Sequence, residues 1–140
     1  MSNNSMLLLG FGKDFVSKAG VGADIDTTPK KQYYDFIAVS ERGVTPKQQV
    51  KGNVLFCPSG GGIPNVSCNT SVTCGMSRKS ALSFSSVRFD EAMLSVSKRI
   101  DGKGWSLYQG DCRTSYDSDL TLYENLVLEG MRAVRENLGK

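Results

Sequence analysis

The sequence predicts an α+β domain, an antiparallel β-sheet followed by one C-terminal amphipathic helix. Three observations carry that expectation. Between Tyr33 and Gln109, short runs rich in Val, Ile, Phe and Tyr or alternating apolar with polar residues have the character of half-buried strands. Gly- and Pro-containing turn signals separate those runs. After Asp117 the apolar spacing changes to three and four residues, the stripe of a helix with one buried face.

The elements follow in order. Met6 to Leu9 is short enough to open only an edge strand, and Gly10, Gly12, Gly20 and Gly22 interrupt anything longer before residue 31. Asp24-Ile25-Asp26-Thr27-Thr28-Pro29 reads as a turn. Tyr33 to Ser40 and Val50 to Cys57 read as strands, separated by a turn at Gly43 to Pro46. Pro58 to Pro64 is a loop on its glycines and prolines, and Val66 to Met76 has β character. Leu82 and Phe84 share one face against Ser83 and Ser85. Leu94, Val96 and Ile100 share one face against Ser95, Ser97 and Arg99. Asp101-Gly102-Lys103-Gly104 is a hairpin turn returning through Trp105 to Gln109.

Leu120, Tyr123, Val127, Met131, Val134 and Leu138 form the helical stripe. Asp117, Ser118 and Asp119 offer N-caps, Thr121 with Glu124 fits a capping box one turn later, and Gly139 stands where a C-cap belongs. Leu122, Leu126 and Leu128 widen the apolar surface, and Gly130 in mid-helix costs about 1 kcal/mol relative to Ala. Width and a small residue together point to close packing against a second body, either another subunit or, for a helix deeply buried in a monomer, the rest of the same chain. Leu122, Leu126, Gly130 and Met131 are the expected dimer interface.

The chain has 140 residues, enough for one domain with its own core, and no run of about 18 apolar residues that would cross a membrane. It contains no histidine, which excludes Ser–His and Cys–His nucleophile pairs and removes the commonest zinc ligand. Gly10-Phe11-Gly12-Lys13 lacks the spacer of a phosphate loop. Gly20-Val21-Gly22 lacks the third glycine of a dinucleotide fingerprint, and no βαβ unit is expected around it. Cys57, Cys68, Cys74 and Cys112 contain no Cys-x-x-Cys pair, so no metal site is expected. The four allow three full pairings, a Cys68–Cys74 staple among them, or remain free buried thiols; the sequence does not choose. Neither an enzyme nor a cofactor is expected.

Charge is distributed unevenly. The net +3 hides a segment, residues 42–89, that carries Arg42, Lys47, Lys51, Arg78, Lys79 and Arg88 and no acid. That asymmetry reads either as a surface meeting a large anion, nucleic acid above all, or as a Ser-, Gly- and Val-rich strand region whose few charges happen to be basic. The expected single-stranded RNA contacts are Lys51, Asn53, Arg78, Lys79, Ser83, Ser85, Ser95, Ser97, Arg99 and Tyr108. Lys and Arg suit phosphates, Ser and Asn suit base edges, and Tyr can stack on a base.

The order of strands followed by an apolar helix resembles the coat proteins of single-stranded RNA bacteriophages. The most specific stretches are Val72-Thr73-Cys74 followed by Ser77-Arg78-Lys79-Ser80, which look like a coat-protein strand running into a basic hairpin. The Cys68-to-Cys74 spacing is also similar to the paired loop cysteines of some members. The resemblance implies about five to seven antiparallel strands including an N-terminal hairpin within residues 1–31, a sheet over 32–113, and a helix over 118–139 packing across a homodimer. It further implies an icosahedral shell around genomic RNA, a virion component assembled in the bacterial host cytoplasm. The alternative is a small α+β inhibitor or adaptor that binds another protein without RNA.

Overall fold

The computed structural model describes residues 5–19, 24–42, 44–60 and 63–138. Its main sheet has eight strands, and the expectation of a purely antiparallel sheet is overturned. In chain order the elements are β1 (Ser5–Leu9), α1 (Lys13–Ala19), β2 (Asp24–Asp26), β3 (Tyr33–Val39), β4 (Val50–Pro58), β5 (Val66–Cys74), β6 (Leu82–Val87), β7 (Glu91–Val96), β8 (Ile100–Gly102), β9 (Trp105–Leu107), β10 (Gly110–Ser115) and α2 (Leu122–Asn137). The strand order is β10-β7-β6-β5-β4-β3-β1-β2, with β8 and β9 forming a separate two-stranded sheet. From β2 to β6 every pairing in the main sheet is parallel, while β6–β7, β7–β10 and the separate β8–β9 pair are antiparallel.

Two-sided burial explains the parallel half. Phe36-Ile37-Ala38-Val39 and Val54-Leu55-Phe56-Cys57 are buried without interruption, so neighbouring residues fill opposite faces. Phe36, Ala38, Val54 and Phe56 join the core under α2. Ile37, Val39, Leu55 and Cys57 join a second core on the other face, against which Ile63 and Val66 pack from the connection into β5. Alternation identifies a half-buried strand but leaves its direction open, and these runs do not alternate.

β1 corrects a second expectation. Met6 to Leu9 are all at most 3% exposed, and β1 lies inside the sheet between β3 and β2. No N-terminal hairpin forms. Instead β1 and β2 pair in parallel across α1, a β-α-β unit in the stretch expected to lack one. Gly20 to Gly22 lie outside the described residues.

The parallel strands β3, β4 and β5 follow one another without helices, and successive turns stack like coils of a solenoid. Asn65 ties two of the connections together: its amide donates to the Pro46 carbonyl at 2.9 Å and accepts from the Gln49 amide at 3.0 Å. Asn65 has φ +66°, a conformation that Asn tolerates better than most side chains. Across the strands, Ser5, Asp35, Asn53 and Asn69 fall opposite one another by register. Ser5 N–H donates to Asp35 Oδ2 at 2.9 Å, and Asn69 donates to Asn53 at 3.2 Å.

The antiparallel half meets the parallel half at a single residue pair, Cys74 opposite Leu82. Here the expected alternation holds: Leu82, Phe84, Leu94 and Val96 face the helix side. The Asp101–Gly104 turn also forms, with Gly104 at φ +83°, but its hairpin lies against α2 instead of extending the sheet.

α2 begins at the later of its two candidate starts. Thr121 is the N-cap, and the box with Glu124 closes in both directions. The helix ends at Asn137 with Leu138 as C-cap, while Gly139 lies outside the described residues. Leu126, Gly130 and Met131, expected in a dimer interface, are buried in the chain's own core. A Cβ on Gly130 would stand 2.7 Å from Leu82 Cδ1 and 2.9 Å from Phe56 Cε1, so the glycine lets the helix approach its own sheet. Leu122 alone of the four stays half-buried.

Gly130→Val puts three carbons where none fit, and overpacking of this kind costs about 1–3 kcal/mol. The variant is expected to lower the urea midpoint by that order at an unchanged m-value. Thr121→Ala, which removes the cap, is expected to cost about 1 kcal/mol in the same measurement.

Candidate functional site

The ten expected RNA contacts do not converge. Lys51 is exposed on the first half of β4, in a row with exposed Tyr33 and Ser67. Asn53 sits one row on, half-buried in the amide ladder. Arg78 and Lys79 occupy the connection from β5 to β6 and are exposed. Ser83 and Ser95 lie opposite each other on the face turned from α2, and the same row continues to Asp111, an acid. Ser85 is the extra residue of a bulge in β6, its hydroxyl donating to the Met93 carbonyl at 3.4 Å. Ser97 is exposed just beyond β7.

Arg99 and Tyr108 do meet, flanking the β8–β9 hairpin. The guanidinium lies 4.9 Å from the Tyr108 ring centre and donates to Asp101 at 2.8 Å. That bond holds the Asp101 carboxyl below its ordinary range, with Ser106 helping. Arg99 is therefore already matched by an acid. The six cations of residues 42–89 are likewise spread over three connections and the amino-terminal half of β4. An acid-free stretch of sequence does not become one basic face.

The cysteines are all free, and the loop staple is excluded. Cys68 and Cys74 stand on one strand, six residues apart or roughly 20 Å at strand spacing, far beyond disulfide reach. Burial pushes the Cys68 thiol up to about 11 and raises Cys57 and Cys74 as well, so none of these is a ready nucleophile. Cys112 is the one exposed cysteine. Among the described residues no group of three His, Cys, Asp or Glu side chains could hold a metal, and no helix is long and apolar enough to cross a membrane.

A groove of about 600 Å³ lies between α2 and β10, where the helix leaves the strand uncovered. Leu94 and Ala133 line it with Glu91, Glu129, Arg132 and Glu136, and Cys112 and Arg113 of β10 form its margin. Glu129 is the only acid with a buried side chain among the described residues, 4% exposed, and its nearest cation is Arg132 at 3.2 Å. Burial raises its carboxyl above the ordinary value, while Arg132 pulls the other way. A second concavity of about 500 Å³ shares Asp90, Ser115, Glu129 and Arg132 with the first and reaches Phe89. Phe89, at the tip of the β6–β7 turn, is 83% exposed. Both are open to solvent, with no enclosed space for a small substrate.

Sequence reasoning missed β10. All of its residues are exposed or half-buried, and its outer side is unpaired among the described residues. A polar edge strand has no apolar alternation, so only the turn at Gln109-Gly110 signals it. Comparison of the chain with protein-family models, curated proteins and solved structures returned no match. The stretches that resemble phage coat proteins occupy a parallel strand, Val72 to Cys74, and the connection that follows it.

A carboxyl that titrates higher in the fold than in the unfolded chain binds its proton more tightly in the fold. Stability is then lost as pH rises from the unfolded value, near 4.5 for Glu129, through the raised native one. Glu129→Gln is expected to remove that loss, giving a higher urea midpoint than the parent at pH 7 and a flatter profile above pH 4.5. Equal midpoints at pH 7 would refute the burial argument.

Proposed function

We propose that this chain is a non-catalytic structural protein that works as a homodimer, joined along β10. The observation that carries the reading is the bare edge. The eight-stranded sheet ends on a six-residue strand whose outward peptide groups have no partner among the described residues. Proteins usually guard such an edge with a bulge, a proline, charged side chains (lysine above all) or a covering segment. β10 has neither proline nor lysine, its two charges, Asp111 and Arg113, are of opposite sign and so able to pair with a second copy, and α2 stops short of it. The absence of histidine and the open form of both grooves fit a binding surface better than an active site.

This keeps the self-association of the coat-protein reading and relocates it from α2 to the sheet edge. A shell and a packaged RNA are further steps of the same proposal. RNA contacts would have to come from separate cationic points: Arg78-Lys79, Lys30-Lys31 and Lys98-Arg99 are exposed pairs adjacent in sequence, and Lys31 and Arg99 are already matched by Asp24 and Asp101.

Light scattering after size exclusion tests the edge in any register. The parent is expected at dimer mass in the micromolar range. Arg113→Pro, which removes an outward N–H without touching the β7 ladder, is expected at monomer mass with an unchanged circular dichroism spectrum. A monomeric parent overturns the proposal. An absorbance ratio above that of pure protein, lost on changing Arg78 and Lys79 to Glu, would support RNA binding.

A further inference from the structure

The edge also states how two copies meet, an inference that rests on the homodimer reading above. Tyr116 N–H donates to the carbonyl of Asp90, the residue just before β7, at 3.0 Å. Peptide groups alternate along a strand, so Gly110, Cys112 and Thr114 turn theirs toward β7. Asp111, Arg113 and Ser115 therefore turn theirs outward. A two-fold axis must set outward residues opposite outward residues, which means that it passes through a residue and not between two. Near the middle of β10 the axis can fall on Asp111, Cys112 or Arg113.

Charge separates the three. An axis on Asp111 sets two aspartates face to face, and one on Arg113 sets two arginines face to face. An axis on Cys112 sets each Asp111 opposite the Arg113 of the other copy. Like charges directly opposite destabilise a strand pair, while opposite charges stabilise it. Both side chains are free to respond: Asp111 is exposed, and Arg113 is 76% exposed with only a 4.0 Å contact to Glu91.

We propose that a second copy of this chain adds antiparallel to β10 with the two-fold axis on Cys112, each Asp111 paired with Arg113 of its partner. The arrangement makes four backbone hydrogen bonds between Asp111 and Arg113 and joins two eight-stranded sheets into one of sixteen. Cys112 then faces its own copy in a pair without backbone hydrogen bonds, where Cα atoms lie about 4.5 Å apart, within disulfide range. That proximity makes it a reporter of register.

The test uses the full chain. Air oxidation catalysed by bis(1,10-phenanthroline)copper(II) takes two electrons and two protons from a close pair of thiols and passes them to dioxygen. The expected result is a non-reducible-by-heat, dithiothreitol-sensitive band at twice the monomer mass, linked through Cys112 by peptide mass spectrometry. Cys112→Ser is expected to lose that band and remain dimeric by light scattering. Asp111→Arg and Arg113→Asp are each expected to raise the dimer dissociation constant about tenfold or more. The double exchange Asp111→Arg with Arg113→Asp restores the opposite-charge pairs and with them the parent affinity. A dimer that gives no Cys112 link, or that is indifferent to both single reversals, overturns this register and leaves self-association standing. A parent that is monomeric at every concentration overturns both.

Discussion

Phe36-Ile37-Ala38-Val39 and Val54-Leu55-Phe56-Cys57 place apolar side chains on both faces of adjacent strands, so both faces need cover. One cover is α2, whose Leu126, Val127, Met131 and Val134 meet Phe36, Val54 and Phe56 in the larger core. The other cannot be a second helix, because no helix separates β3, β4 and β5. The return from β4 to β5 serves instead, bringing Ile63, and Val66 at the start of β5, against the second core. The stacked connections and the amide ladder at Asn53 and Asn69 accompany this arrangement, in which parallel strands return on themselves within a few residues.

The same demand explains the helix. With Phe56 and Leu82 directly beneath it, α2 closes on the sheet only where it carries Gly130. An apolar surface that looks too wide for a monomer in sequence is used up by two layers and a hairpin of the same chain. What α2 leaves uncovered is the polar sheet edge at β10 and the groove beside it.

Strand positions were legible because burial of one face leaves a period of two, as in Leu82 to Ser85 and Leu94 to Ser97. The Thr121–Glu124 box and the Gly104 turn were legible because each depends on local chemistry. Direction was harder to read. Met6 to Leu9, Phe36 to Val39 and Val54 to Cys57 carried the signal as unbroken apolar runs, the mark of strands covered on both sides. β10 was illegible for the opposite reason: an exposed edge imposes no pattern on its side chains. Adjacency in sequence is not adjacency in space once a chain coils: Lys51 lies opposite Ser67 near the start of β5, whereas Arg78 follows the end of that strand.

The single pair Cys74–Leu82 joining the two halves of the sheet bears on how the chain acquires its structure. So narrow a seam adds little cooperativity of its own. What bridges it is α2, which touches β4, β5, β6 and β9 and reaches back through Arg135 to the Ala19 carbonyl at 3.3 Å. In chain order α2 comes after every strand. On the ribosome, the coiled parallel half would emerge with its larger core uncovered and wait for the helix that closes it. Most of the contacts that close the core join residues far apart in sequence, and chains of that kind fold slowly. Nascent-chain handling, more than final stability, is then the stage at which substitutions in α2 would be felt first.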